Sequence, residues 1–392
     1  MRNMLPHGSL RRAVRQHGEE RGNDMADFIK GMDLSTLLEV EACGGKFYDE
    51  NGPEDAIEIL KRYGMNLVRL RLWNDPYSEA GEPYGAGTND LEKTIRMAKR
   101  LKAAGIDWML DLHYSDFWAD PGKQTIPKAW RGMNVQELTE AVHSYTASVL
   151  HALLREEAAP TIVAVGNELT NGMLWPYGKL PEYENLIGFL NAGIRAVREN
   201  LPDAEVMLHL DNGGNCQMYR SWFDRYFAQG GLDFTYIGLS YYPFWHGTLQ
   251  DLQRNMHELA QRYHKKMIVA EVSTGFTMED YASYEQLPEE KRKGMAITQQ
   301  LAEKVPYPMT PAGQSRFMYD FMEIIRNVPD NLGKGFVYWE PAWLPVPGCE
   351  WATDAALAYT GEAGPGGNEW ANQALFDYTG HCLPALKTIR DF

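Results

Sequence analysis

Two glutamates each close an apolar run in this 392-residue chain: Glu168 ends VAVGNE and Glu271 ends MIVAE. If both runs are strands that finish at one rim, the pair suits glycoside hydrolysis. One carboxylic acid protonates the departing oxygen, and one carboxylate attacks the anomeric carbon or activates water. A gap of roughly 5 Å between the carboxyls gives retention through a covalent intermediate, and a wider gap gives inversion. The bland alternative is that each glutamate is the acidic half of a structural ion pair. Other polar residues collect at similar run ends: Asp33, Arg69 and Arg71, Asp111, His113 and Asp116, Asn167, His209 and Asp211, Tyr241 and Tyr242, and Trp339 with Glu340. Side chains two apart on a strand share a face, so Arg69 and Arg71 point one way, as do Asp111 and His113. An acid/base needs a raised pKa while a nucleophile must stay ionised, so the two glutamates need different surroundings.

The elements that must carry these residues alternate along the chain. Strand candidates fall at 28–35, 67–73, 107–116, 161–168, 205–211, 236–243, 266–273 and 335–343. Between them lie segments with helical spacing, and glycines such as Gly64 and Gly105 follow several, as C-caps do. Eight alternating βα units predict parallel strands closing into a single (β/α)8 TIM barrel over 28–392. An open doubly wound sheet is the rival, but no GxGxxG or Walker-type loop follows an early strand. Long loops run from Thr274 to Pro311 after the seventh strand and from Leu344 to Cys382 after the eighth. In a barrel both would overhang the C-terminal mouth, where such folds keep their chemistry.

Composition narrows the partners. With 38 basic against 53 acidic residues the net charge is −15, which disfavours nucleic acid and anionic membrane surfaces. No apolar stretch is long enough to span a bilayer. The basic, polar residues 1–27 lack the apolar core of a signal peptide and predict a disordered tail, with Met25 an alternative start, so a cytoplasmic location is expected for the sequence as it stands and a secreted one if its N-terminus is altered; a monomer is expected. The 4 cysteines have no CxxC pair and read as free thiols. Histidines 113, 209 and 246 sit in separate blocks without zinc-like spacing, so neither a metal nor a cofactor is expected. The 11 tryptophans exceed what packing usually asks for; Trp73, Trp118, Trp245, Trp339 and Trp343 are candidates to stack on sugar faces.

Taken together, the blocks GMDLSTLLEVEACGGKFYD, NLVRLRLWNDPY, DLHYSDFWADPGKQTIPKAW, VAVGNELTNGMLWP, IGLSYYPFWHG, IVAEVSTGF and VYWEPAWLP resemble glycoside hydrolase family 53, the endo-β-1,4-galactanases. The likeness runs from about residue 28 to about 384. It implies a retaining mechanism on β-1,4-galactan, arabinogalactan or galacto-oligosaccharides, with Glu168 as acid/base and Glu271 as nucleophile. It further implies that Asn167 binds the sugar 2-hydroxyl and that Arg69 keeps Glu271 ionised. His113 would orient the acid/base or the substrate, and Tyr242, or else Tyr241, would hydrogen-bond Glu271. Trp339 would floor the cleavage subsite, with Asp33, Asp116 and Trp118 lining subsites. The loop after the seventh strand lacks the clustered Asp and Asn oxygens of a calcium site, and its acids at 279, 280, 289 and 290 read as solvated surface. Two rivals stay open: the same barrel acting on another β-linked glycan such as mannan or glucan, and a glycan-binding barrel without catalysis.

Overall fold

The computed structural model describes residues 28–281 and 296–392. The expected N-terminal tail and the acids at 289 and 290 lie outside the described residues. Eight parallel strands close into a barrel: β1 (Ile29–Asp33), β2 (Leu67–Leu72), β3 (Asp107–Leu112), β4 (Ile162–Val165), β5 (Glu205–Leu210), β6 (Tyr236–Tyr241), β7 (Lys266–Val272) and β8 (Gly333–Tyr338). Each pairs with its sequence neighbour, and β1 pairs with β8, for instance Ile29 with Gly335, to complete the ring. The open-sheet alternative is thereby excluded.

A helix follows each strand: α1 (Ala56–Arg62), α2 (Leu91–Ala104), α3 (Val135–Arg155), α4 (Tyr183–Asn200), α5 (Cys216–Ala228), α6 (Leu249–Tyr263), α7 (Pro311–Arg326) and α8 (Pro384–Asp391). Local chemistry sets their ends. Asp90 caps α2 by accepting from Lys93 N, and Gly105 ends it at φ 69°. Asn134 with Glu137, and Thr248 with Asp251, form reciprocal capping boxes at the starts of α3 and α6. α8 packs against α7. The eighth strand, expected over 335–343, stops at Tyr338, because Glu340 turns to φ 50° and Pro341 has no N–H for a ladder.

Strand periodicity layers the barrel interior. Leu67, Met109, Ile162, Met207, Ile268 and Val337 belong to one apolar plug. Two positions beyond Leu67, Met109 and Met207 stand Arg69, Asp111 and His209, on the same faces but nearer the strand C-termini. The core therefore gives way to a charged layer at the mouth. All four cysteines are unpaired.

Candidate active site

Glu168 follows β4 at φ 46° and ψ 58°, a left-handed conformation that costs a non-glycine residue roughly 1–2 kcal/mol. Strain of this kind is stored where a side chain must be aimed. Glu271 lies near the end of β7, beside a register shift in which Leu239 pairs with Val269 but Ser240 pairs with Glu271. The extra residue re-aims the strand end. Despite 103 intervening positions (271 − 168), a carboxylate oxygen of each glutamate lies within 4.8 Å of the other's.

Glu271 is clamped from both sides. Arg69 Nη2 stands 2.8 Å from its Oε1, and Tyr242 Oη donates to its Oε2 at 2.8 Å. Arg69 also reaches Asp33 and Asp111, each at 2.7 Å, and donates to Asn167 Oδ1 at 2.9 Å. Arg71 meets Asp33 at 3.3 Å and Glu340 at 2.5 Å, and Trp118 stacks on its guanidinium at 4.4 Å. Burial would raise Asp111, but Arg69 and His113 outweigh it and hold that carboxyl down at about 2. Burial pushes Glu340 up to about 7 against the pull of Arg71. Burial likewise lifts Glu271, with Arg69 and the Tyr242 hydroxyl working against it.

Glu168 has no such clamp. Ser240 Oγ lies 2.6 Å from its Oε1, and that same hydroxyl lies 2.8 Å from His209 Nε2. His209 Nδ1 is 2.8 Å from Asn167 Oδ1. Burial, then the charges of Glu271 and Asp211, push the Glu168 carboxyl well above the ordinary carboxylate range. Its neighbour His209 is driven the other way, to about 3, by burial and by Arg69.

Glu168, Glu271, Asn167, Arg69, Tyr242, His113, Trp118 and Trp339 all line one cavity of about 340 Å³ at the mouth. Of the two tyrosines, Tyr242 faces Glu271, whereas Tyr241 points outward and donates to Gly247 O. His113 does not touch Glu168. Its Nδ1 accepts from Trp73 Nε1 and Ala119 N, both at 3.2 Å, leaving Nε2–H toward Asp111, 3.0 Å away. Asp33 and Asp116 are fully buried and absent from the cavity wall. Asp33 joins the two arginines, and Asp116 accepts from Asp75 N and Lys128 N, stapling two loops. Trp73 is buried, Trp343 touches the cavity from a buried position, and Trp245 is exposed at its edge. The sequence reading missed Trp351 and Trp370, which the long loop after β8 folds into the wall, Trp370 packing edge-on to Trp339 at 4.6 Å. It also gave no role to Ser240, a residue with no distinctive strand signature. In the loop after β7, Glu279 is exposed and Asp280 half-buried.

Glu168, His209 and Glu271 are close enough together to resemble a metal-ligand set. The donors do not fit one. Both imidazole nitrogens of His209 are engaged by Asn167 and Ser240, and both oxygens of Glu271 by Arg69 and Tyr242.

An eight-stranded parallel barrel with a facing glutamate pair and an aromatic wall at its mouth defines a carbohydrate-cleaving hydrolase of the barrel type. The sequence matches Glycosyl hydrolase family 53 over residues 29–389, and the chain belongs to that family. It is 37% identical over 383 residues to an endo-β-1,4-galactanase of Bacillus subtilis (strain 168), covering 93% of this chain and 86% of the relative. It is 34% identical to the arabinogalactan endo-β-1,4-galactanase A of Aspergillus niger, over 80% of this chain and 85% of the other. Among solved structures, a family 53 catalytic domain from Ignisphaera aggregans superposes with a TM-score of 0.85 at 38% identity, over 93% of this chain and 96% of that one. The chain is a glycoside hydrolase.

Proposed function

We propose that the chain hydrolyses β-1,4-galactosidic bonds within galactan and its oligosaccharides, with retention, Glu271 acting as nucleophile and Glu168 as general acid and base. The observation that carries this reading is the approach of the two carboxylates within 4.8 Å, the short gap of a double displacement. The substrate comes from the galactanase relatives.

In the first half-reaction Glu271 attacks the anomeric carbon as the glycosidic bond breaks, and Glu168 passes its proton to the leaving oxygen. Asn167 spends one amide N–H on Ala119 O and keeps a second for the sugar 2-hydroxyl. Once Glu271 is esterified its charge is gone, the chief electrostatic opposition to ionising Glu168 is removed, and Glu168 serves as the base that activates water. Trp339 and Trp118 offer the flat faces against which the sugar packs. The site is complete within one chain, in keeping with action as a monomer.

Hydrolysis of linear β-1,4-galactan followed by proton NMR tests the reading. Products are expected to appear first as the β-anomer and to mutarotate later, with viscosity falling ahead of the release of reducing ends. The α-anomer appearing first would overturn retention, and no cleavage of galactan would overturn the substrate.

A further inference from the structure

The hydrogen-bond chain behind Glu168 has only one consistent set of directions while His209 is neutral. Asn167 Oδ1 is an acceptor, because it already receives Arg69 Nη2 while its amide nitrogen donates to Ala119 O. His209 Nδ1, 2.8 Å away, must therefore carry the imidazole proton. That leaves Nε2 as an acceptor, and its partner Ser240 Oγ must donate to it. A hydroxyl has one proton, so the 2.6 Å contact between Ser240 and Glu168 can then be made only if Glu168 supplies the hydrogen. Protonation of His209 would break this logic, and its burial beside Arg69 opposes that charge.

We propose that Ser240 is a positioning residue whose hydroxyl reports the protonation of Glu168: it donates to His209 while Glu168 is an acid and turns to donate to Glu168 once the carboxylate forms. As the glycosidic C–O bond breaks and Glu271 bonds to the anomeric carbon, the Glu168 proton leaves with the alcohol and the Ser240 hydrogen rotates onto the new carboxylate. As water attacks, the bond to Glu271 breaks, the water proton passes to Glu168, and the hydroxyl swings back to His209. Oriented donors of this kind stabilise charge where it develops. The other titratable or charged groups facing Glu168 are Glu271 on β7, Asp211 beyond β5, Tyr242 beside β6, Tyr219 on α5, and Asp120 in the loop after β3. None of them shares the Ser240 hydroxyl.

This inference rests on Glu168 being the acid. Its test compares pH profiles and two substrates: galactan, whose leaving group needs a proton, and a dinitrophenyl β-galactobioside, whose leaving group does not. Ser240→Ala is expected to lower kcat on galactan about tenfold with KM little changed, to spare the aryl substrate, and to move the basic limb of kcat/KM to higher pH. Ser240→Thr, which keeps the hydroxyl, is expected to restore both. His209→Phe should move the same limb to lower pH, because Ser240 then has only Glu168 to donate to. Equal losses on both substrates with an unmoved limb would mean a merely structural serine and would overturn the proposal. If Ser240→Ala does not fold, as circular dichroism would reveal, the His209→Phe limb decides: a shift upward or no shift sinks the idea. Glu168→Ala run in parallel must lose galactan and keep the aryl substrate, so failure of the acid assignment is read separately.

Discussion

Around Glu271, strands β1, β2 and β3 supply Asp33, Arg69, Arg71 and Asp111, a buried lattice in which each guanidinium meets more than one carboxylate. Around Glu168, strands β5 and β6 supply an imidazole and a hydroxyl, and among the described residues no guanidinium touches it. One half is built to fix charge, and the other, in the proposed mechanism, moves a proton. The arginine half is itself rich in acid: Asp33, Asp111, Glu271 and Glu340 share Arg69 and Arg71, four carboxyls to two guanidiniums, with Glu340 pushed up to about 7 by burial. Burial, with the charges of Asp111 and Asp33 adding to it, is why Glu271 is not driven below the ordinary carboxylate range even at 2.8 Å from Arg69. The difference between the two glutamates is thus one of degree, set by the arginine that only one of them touches.

The largest break in this comparison comes from removing each glutamate. Glu271→Ala is expected to lower kcat on the order of 10⁴-fold or more on every substrate, as loss of a nucleophile does. External azide should restore a glycosyl azide of inverted configuration. Glu168→Ala is expected to cost about 10² to 10⁴-fold on galactan while sparing substrates with good leaving groups. Kinetics on galactan and on an aryl galactobioside, with the azide adducts assigned by NMR, check both. Swapped patterns would reverse the roles.

Next in size is loss of the shared cation. Arg69→Met leaves Asp33, Asp111 and Glu271 buried without their common partner, which is expected to cost about 3–5 kcal/mol in urea denaturation. The pH dependence has a defined sign. Asp111 is held at about 2, below its ordinary 3.8, so its contribution is present above 3.8 and fades as pH falls through 2. The stability gap between wild type and variant should therefore narrow as pH falls. A gap that widens in acid would show that Arg69 is not what depresses Asp111.

How far each half could be read beforehand differs for physical reasons. The eight strands were legible because each is a short apolar run between helical segments, and Glu168 and Glu271 were legible because a carboxylate directly ending such a run has to be explained. Tyr242 could not be told from Tyr241 by sequence, since which of two adjacent tyrosines faces inward depends on where the strand ends and how its neighbour bulges. Asp33 and Asp116 shared the motif blocks that carry the site, yet folding buries them under it as supports. Ser240 lies 72 positions from Glu168, and nothing in a serine's neighbours along the chain says that a carboxyl will arrive beside it. Trp351 and Trp370 depend on how a Gly-rich loop folds, which periodicity does not describe.

The smallest effect is expected at the outer edge of the arginine half. Lys123, in the loop after β3, meets Glu362, in the loop after β8, at 2.7 Å, and Trp118 Nε1 donates to Trp351 O nearby. Because β1 and β2 stand between β8 and β3 in the ring, these contacts span the mouth above those two strands. The ion pair is 28% and 36% exposed, so it is solvated and screened, unlike the lattice beneath it. Lys123→Ala is expected to lower stability by less than about 1 kcal/mol, and 1 M salt should erase most of the difference. The Trp118 contact, a hydrogen bond to backbone, should be insensitive to salt. If Lys123→Ala were instead to cost as much as Arg69→Met in the same urea titration, the division between a buried lattice that sets charge and a solvated rim that merely joins loops would fail.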